Sequence, residues 1–149
     1  MLVREVMSTE VVTCGPDASL RTAGRRMLDA GVGSVVVVDD GVPMGILTET
    51  DALRAGVLTD RPFDDVAVRE VGSRPLATVG PETTVRKAVD RMREVGVKRL
   101  PVVDDGDLVG VLTRTDVANH YGAFVREAHA LDERREDWEA RRFDPEEFP

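Results

Sequence analysis

The chain has 149 residues and a formal net charge of −8. Its length fits one compact domain or two small ones joined tightly, and its acidity argues against nucleic acid or an anionic membrane as the main partner. No apolar run reaches the roughly 18–20 residues that a membrane span needs, the opening MLVREVMSTE lacks a signal-peptide core, and a single cysteine, Cys14, allows no internal disulfide.

A cytoplasmic location is expected. Cys14, in the apolar run VVTC, reads as a small buried side chain. Lysine is confined to Lys87 and Lys98, while Asp is abundant. A high-salt cytoplasm and a GC-rich genome would each produce that balance.

Residues 3–7 carry apolar side chains at the spacing of a short helical turn. Residues 11–13 predict a brief β-branched strand, broken by Gly15 and Pro16. Asp17 or Ser19 can cap the next helix. Leu20, Ala23, Met27 and Ala30 recur at three- and four-residue steps, which predicts an amphipathic helix that Gly31 ends. Residues 35–38 are four valines, the pattern of a strand buried on both faces. Asp39, Asp40 and Gly41 carry hairpin chemistry, and residues 44–47 return as the partner strand. A second helix starts in Thr48, Glu49, Thr50 and Asp51 and runs to about residue 55. A linker with Pro62 and three Asp then crosses the surface.

The plan then repeats. Residues 3–53 align on residues 68–118 at an offset of 65 without a gap, and 24 of the 51 pairs are identical. A repeat of this length decides the fold. Val85, Ala88, Val89, Met92 and Val95 are expected to face the second core, and Gly96 to stop that helix. The final helix begins near residues 113–116 and continues through Tyr121, Phe124 and Val125. The expected architecture is α/β (α+β): two tandem strand–helix–strand–strand–helix units packed with pseudo-twofold symmetry, plus a C-terminal helical tail. The boundaries are 1–56 for unit one, 57–67 for the linker, 68–126 for unit two and 127–149 for the tail. The tail is densely charged but keeps Leu131, Trp138, Phe143 and Phe148, which suit docking onto the body or onto a second copy.

A unit of about 50 residues has a small core and is marginal alone. Two copies packed about a pseudo-twofold axis bury a face of each sheet and create two clefts. The stretches VVDDGVPMGILTETD (37–51) and VVDDGDLVGVLTRTD (102–116) share a G-[IV]-L-T-x-T-D tail. With this tail at a fixed offset, the tandem strongly resembles a pair of CBS domains, or Bateman module, over residues 1 to about 120.

That resemblance implies binding of adenosyl ligands (AMP, ADP, ATP or S-adenosylmethionine) in the clefts. Asp51 and Asp116 match the ribose-binding aspartates, and Thr48, Thr50, Thr113 and Thr115 match positions that suit phosphate or ribose oxygens. The family pattern groups Thr13, Val32 and Gly33 with Lys98, Arg99, Thr113, Thr115 and Asp116 in a main cleft. It groups Thr78, Val97 and Lys98 with Ser34, Thr48, Thr50 and Asp51 in a second.

Unit two reads GVKRLPVVD where unit one reads GVGSVVVVD. Arg99 and Lys98 therefore lead to the expectation that the main cleft takes a phosphate-bearing nucleotide and the second a less anionic adenosyl group, or none. Helix capping alone would equally account for the Thr and Asp residues. No metal site is expected, since turn chemistry explains the paired aspartates and His120 and His129 are nine residues apart.

Nothing supplies an activated nucleophile or a base–orienter pair. The expected function is a non-catalytic regulatory sensor that acts on a partner protein, and the family likeness implies a homodimer. The rival reading is a structural or interaction scaffold with vestigial clefts and a partner-binding C-terminal tail.

Overall fold

The computed structural model describes residues 1–72 and 77–121. The tail and the continuation of the last helix through Phe124 and Val125 lie outside the described residues.

Unit one holds β1 (Thr13–Cys14), α1 (Leu20–Ala30), β2 (Ser34–Asp39), β3 (Val42–Thr48) and α2 (Glu49–Thr59). After a 3-10 turn at Phe63–Asp65 come α3 (Val68–Val71), α4 (Val85–Val95), β4 (Arg99–Asp104), β5 (Asp107–Thr113) and α5 (Arg114–His120). In the first sheet β1 runs parallel to β2 and β2 antiparallel to β3. The second sheet repeats this: β4 pairs antiparallel with β5, and Val79 bridges to Val102 in parallel.

Local chemistry sets these boundaries twice over. Ser19 accepts from the Thr22 amide at 3.1 Å and Thr84 from the Lys87 amide at 3.3 Å, so each main helix starts on a hydroxyl cap. Asp17 instead pairs with Arg69 at 2.9 Å. Gly31 and Gly96 end these helices at φ 65° and 69°, a conformation glycine adopts without a Cβ penalty. Asp40–Gly41 and Asp105–Gly106 both take positive φ, as a two-residue hairpin turn with the twist of its strands requires.

Three expectations are corrected. The second helix runs on to Thr59, four residues past its expected end. Ala30 and Val95, placed on the core face by their spacing, are exposed in the last turns of α1 and α4. The linker does not stay on the surface, because Val66 is buried.

The cores close by exchange. Val3, from the start of the first repeat, packs with Met92, Leu100, Val102 and Leu112 of unit two. Val66, at the end of the linker, and Val68, at the start of the second repeat, pack with Leu20, Met27, Val35 and Leu47 of unit one. The backbone repeats the exchange. The Val3 amide donates to the Thr83 carbonyl and the Val68 amide to the Ala18 carbonyl, both at 2.8 Å, while Arg4 and Arg69 donate to Pro81 and Pro16 at 3.0 Å. Glu5 and Glu70 close these crossing turns by accepting from the Leu2 and Ala67 amides, both at 2.7 Å. Those amides hold each carboxyl below the usual range, with Arg61 adding to the effect at Glu70.

The crossing makes a stability prediction. Val68→Ala empties part of the unit-one core and should cost about 2 kcal/mol. In amide-exchange measurements the lost protection should concentrate on Leu20 and the strands of unit one, even though Val68 belongs to the second repeat.

Candidate functional site

The crossing lays the segment before β1 along β5, the edge of the second sheet. Ser8 and Val111 exchange backbone hydrogen bonds at 3.0 Å in each direction. Gly110 is required beside that contact, because a Cβ there would lie 2.8 Å from the Ser8 carbonyl oxygen and 2.7 Å from Met7 Sδ. Next to this seam opens a cavity of about 370 Å³. One wall is Ser8, Glu10, Val11 and Val12 with residues 31–34 and Glu49 of unit one; the other is Arg99, Val111, Thr113, Thr115 and Asp116 of unit two.

The Thr–Asp pairs sit at helix starts and cap them reciprocally. Thr113 donates its amide to Asp116 Oδ2 at 3.0 Å, and Thr113 Oγ1 accepts from the Asp116 amide at 3.0 Å. Thr48 and Asp51 do the same at 2.9 and 3.1 Å. This capping box satisfies two helix-end amides and fixes the carboxylate rotamer. Capping uses Oδ2 of the half-buried Asp116. Its Oδ1 is left to accept from a ligand hydroxyl, so the cap and a ribose contact are compatible on one side chain.

Gly33 lies beneath the meeting of the two walls. The Glu49 amide donates to its carbonyl at 3.2 Å. A Cβ on Gly33 would come within 2.8 Å of both an Arg99 guanidinium nitrogen and Glu49 Oε1. A long cation from unit two and a carboxylate from unit one thus reach over the same glycine. Arg99 can hold an anionic ligand group in a planar fork, but Glu49 stands beside it and Glu10 on the adjoining wall.

Of the residues proposed for the main cleft, Val32, Gly33, Arg99, Thr113, Thr115 and Asp116 line this one cavity. Ser34, grouped with Asp51 on the sequence, also lines it. Thr13 and Lys98 are not on its wall. The Thr13 carbonyl accepts from Arg26 at 2.6 Å, and its repeat mate Thr78 accepts from Arg91 at 3.0 Å, which braces each first strand against its helix.

On the other side of the pseudo-twofold, the Arg114 amide donates to the Lys98 carbonyl at 3.0 Å, the counterpart of the bond from Glu49 to Gly33. By the offset of 65, Thr48, Thr50 and Asp51 are the repeat mates of Thr113, Thr115 and Asp116, Thr78 of Thr13, and Val97 of Val32. The counterparts of Ser8, Glu10 and Val11 are residues 73, 75 and 76, outside the described residues.

Sequence reasoning missed Ser8, Glu10, Val11, Val12, Gly31, Glu49 and Val111. Glu49 had a signal, since it opposes Arg114 inside otherwise matching T-x-T-D tails. Cys14 is buried in the unit-one core, and desolvation raises its thiol pKa, the setting of a packing residue. Among the described residues no group of three or more His, Cys, Asp or Glu could hold a metal ion, and no helix is long and apolar enough to cross a membrane.

Comparison with known proteins identifies the family and the fold. A family model described as the CBS domain matches twice, over residues 3–58 and 68–123. The CBS domain-containing protein YhcV of Bacillus subtilis is 35% identical over 118 residues, covering 78% of this chain and 82% of that protein. The uncharacterized protein MK0525 of Methanopyrus kandleri is 37% identical over 117 residues, 77% of this chain but 60% of the relative. Among solved structures, the CBS domain protein NE2398 superposes with a TM-score of 0.72 at 34% identity, covering 76% of this chain and 90% of that one. The CBS domain pair of MJ0100, in complex with 5′-methylthioadenosine and S-adenosyl-L-methionine, shares the fold with a TM-score of 0.75 at 23% identity, covering 83% and 97%.

The geometry at Gly33 yields a prediction. Gly33→Ala should leave thermal stability nearly unchanged, because the atoms it meets are the far ends of two flexible side chains. Displacing Arg99 and Glu49 should nonetheless change the affinity for any ligand held in the cavity, read by titration calorimetry beside a melting curve.

Proposed function

This chain belongs to the CBS domain family, and from that premise we propose that it is a non-catalytic regulatory module that binds an adenosyl ligand between its two units. One observation carries the reading: a single cavity is lined by residues 31–34 of one unit and by Arg99, Thr113, Thr115 and Asp116 of the other. A ligand there touches both units. It favours whichever relative arrangement gives it the better contacts, and so shifts the population of arrangements.

AMP, ADP, ATP and S-adenosylmethionine are the candidate ligands, and a protein of the same fold is in complex with S-adenosyl-L-methionine and 5′-methylthioadenosine. Asp116 Oδ1 would accept from a ribose hydroxyl, and Thr113 and Thr115 would flank the sugar. The pseudo-symmetric cleft at Thr48, Thr50, Asp51, Thr78, Val97 and Lys98 would take a second ligand. The module would act in the cytoplasm on a partner protein, the regulated effector.

Titration calorimetry against the four ligands tests this. Wild type should bind at least one, and Asp116→Ala should abolish binding in the main cleft. Asp116→Asn keeps an acceptor for the Thr113 amide but loses the carboxylate. It should hold the fold and still weaken binding about ten-fold, the loss of roughly one charge-assisted hydrogen bond. Intact affinity in both variants would defeat the proposal.

A specific observation also favours an interaction role. Leu28, Leu53 and Val57 on α1 and α2 are 84%, 69% and 70% exposed. Their repeat mates on the described part of unit two are Arg93 and Ala118. Such an apolar face suits the homodimer interface that the family likeness implies. In the scaffold reading this face and the tail would be the whole function and the clefts would be vestigial. The double variant Leu53→Asp/Val57→Asp should sediment as a monomer where wild type sediments as a dimer.

A further inference from the structure

The two clefts are built from the same positions with opposite charge at one of them. Residues 33, 34 and 49 are the repeat mates of 98, 99 and 114. In the first cleft Arg99 reaches over Gly33, a long cation opposite a residue with no side chain. The offset gives the second cleft the reverse: Lys98 is the long cation, and Ser34 the small residue. That exchange leaves one cation per cleft.

The next position breaks the balance. Glu49 and Arg114 occupy equivalent places, each donating its amide to the carbonyl of its mate at 33 or 98, at 3.2 and 3.0 Å. Each opens its helix directly after the capping threonine. Glu49 therefore sets a carboxylate beside Arg99, and Glu10 adds another on the adjoining wall. Arg114, whose amide meets the Lys98 carbonyl, brings a second basic residue to that position of the other unit.

Resting on the adenosyl-binding reading above, we infer that the first cleft selects adenosyl compounds whose tail is uncharged or carries a cationic centre, and that polyphosphates are directed to the second cleft by Lys98 and Arg114. This reverses the order that Arg99 and Lys98 give when read without residues 49 and 114. The physical cause is Coulombic. A triphosphate brought to Arg99 also meets the carboxylates of Glu49 and Glu10 that line the same cavity, on a chain whose net charge is already −8. A tail with a cationic centre gains from the same carboxylates, while one acidic group on that tail can still fork onto Arg99. Discrimination by a repulsive element of this kind is a common route to specificity.

The test exchanges the two charges. Glu49 and Arg114 are exposed, so Glu49→Arg and Arg114→Glu should fold as wild type, checked by melting curves. Titration calorimetry is run with ATP, S-adenosylmethionine and uncharged 5′-methylthioadenosine, with Asp116→Asn and Asp51→Asn assigning each heat to a cleft. In wild type, the site weakened in Asp116→Asn should prefer S-adenosylmethionine or 5′-methylthioadenosine over ATP by about ten-fold or more, a preference that shrinks in molar salt. Glu49→Arg should raise ATP affinity at that site by about ten-fold and leave 5′-methylthioadenosine within about two-fold. Arg114→Glu should lower ATP affinity at the other site.

ATP binding tightest at the Asp116 site of wild type, or a Glu49→Arg protein with unchanged ATP affinity, would overturn the inference and leave adenosyl binding standing. Folded wild type that binds none of the three would overturn the adenosyl reading itself, and the charge sorting with it.

Discussion

Neither unit closes its core with its own leading segment. Val3 is fully buried in unit two, and Val68 is fully buried in unit one. Each crossing turn is tied down by matched hydrogen bonds, from Val3 to Thr83 and from Val68 to Ala18. Two small cores, each marginal alone, are thereby made to depend on one another. The same crossing sets Ser8 against Val111 and brings Met7 and Ser8 so close to β5 that Gly110 must lack a side chain. The cavity is what remains between two units held at that distance. Its floor belongs to the fold, and its chemistry belongs to the few side chains that overhang it.

In the proposed function the Thr–Asp pairs link stability to binding. Each aspartate spends one oxygen on the threonine amide and each threonine accepts in return. The carboxylate proposed to meet the ligand is therefore already held in one rotamer, and little side-chain freedom would remain to be lost on binding. It follows that a helix-cap reading and a ligand reading of these residues describe two oxygens of the same group.

Much of this could be read from the chain. The offset of 65 announces two copies, and Gly31, Gly96, Asp40–Gly41 and Asp105–Gly106 punctuate them where positive φ is needed. Six of the residues grouped on the main cleft line one cavity. What stayed hidden has physical reasons. The crossing of Val3 and Val68 is degenerate in sequence, because either repeat offers the same apolar pocket to the same valine. Val95 follows helical spacing, but at the last turn of α4 the sheet no longer covers it. Glu49 lies between motif positions on an exposed helix start, and only its placement beside Arg99 over Gly33 gives it a role in the cavity.

The central claim is that one ligand is held by both units at once. Amide exchange on the full chain, with and without saturating S-adenosylmethionine, tests it most directly. Added protection is expected together at residues 31–34 of unit one and at residues 113–116 of unit two, with the same dependence on ligand concentration. Protection confined to one unit, or absent from both at saturation, would contradict it.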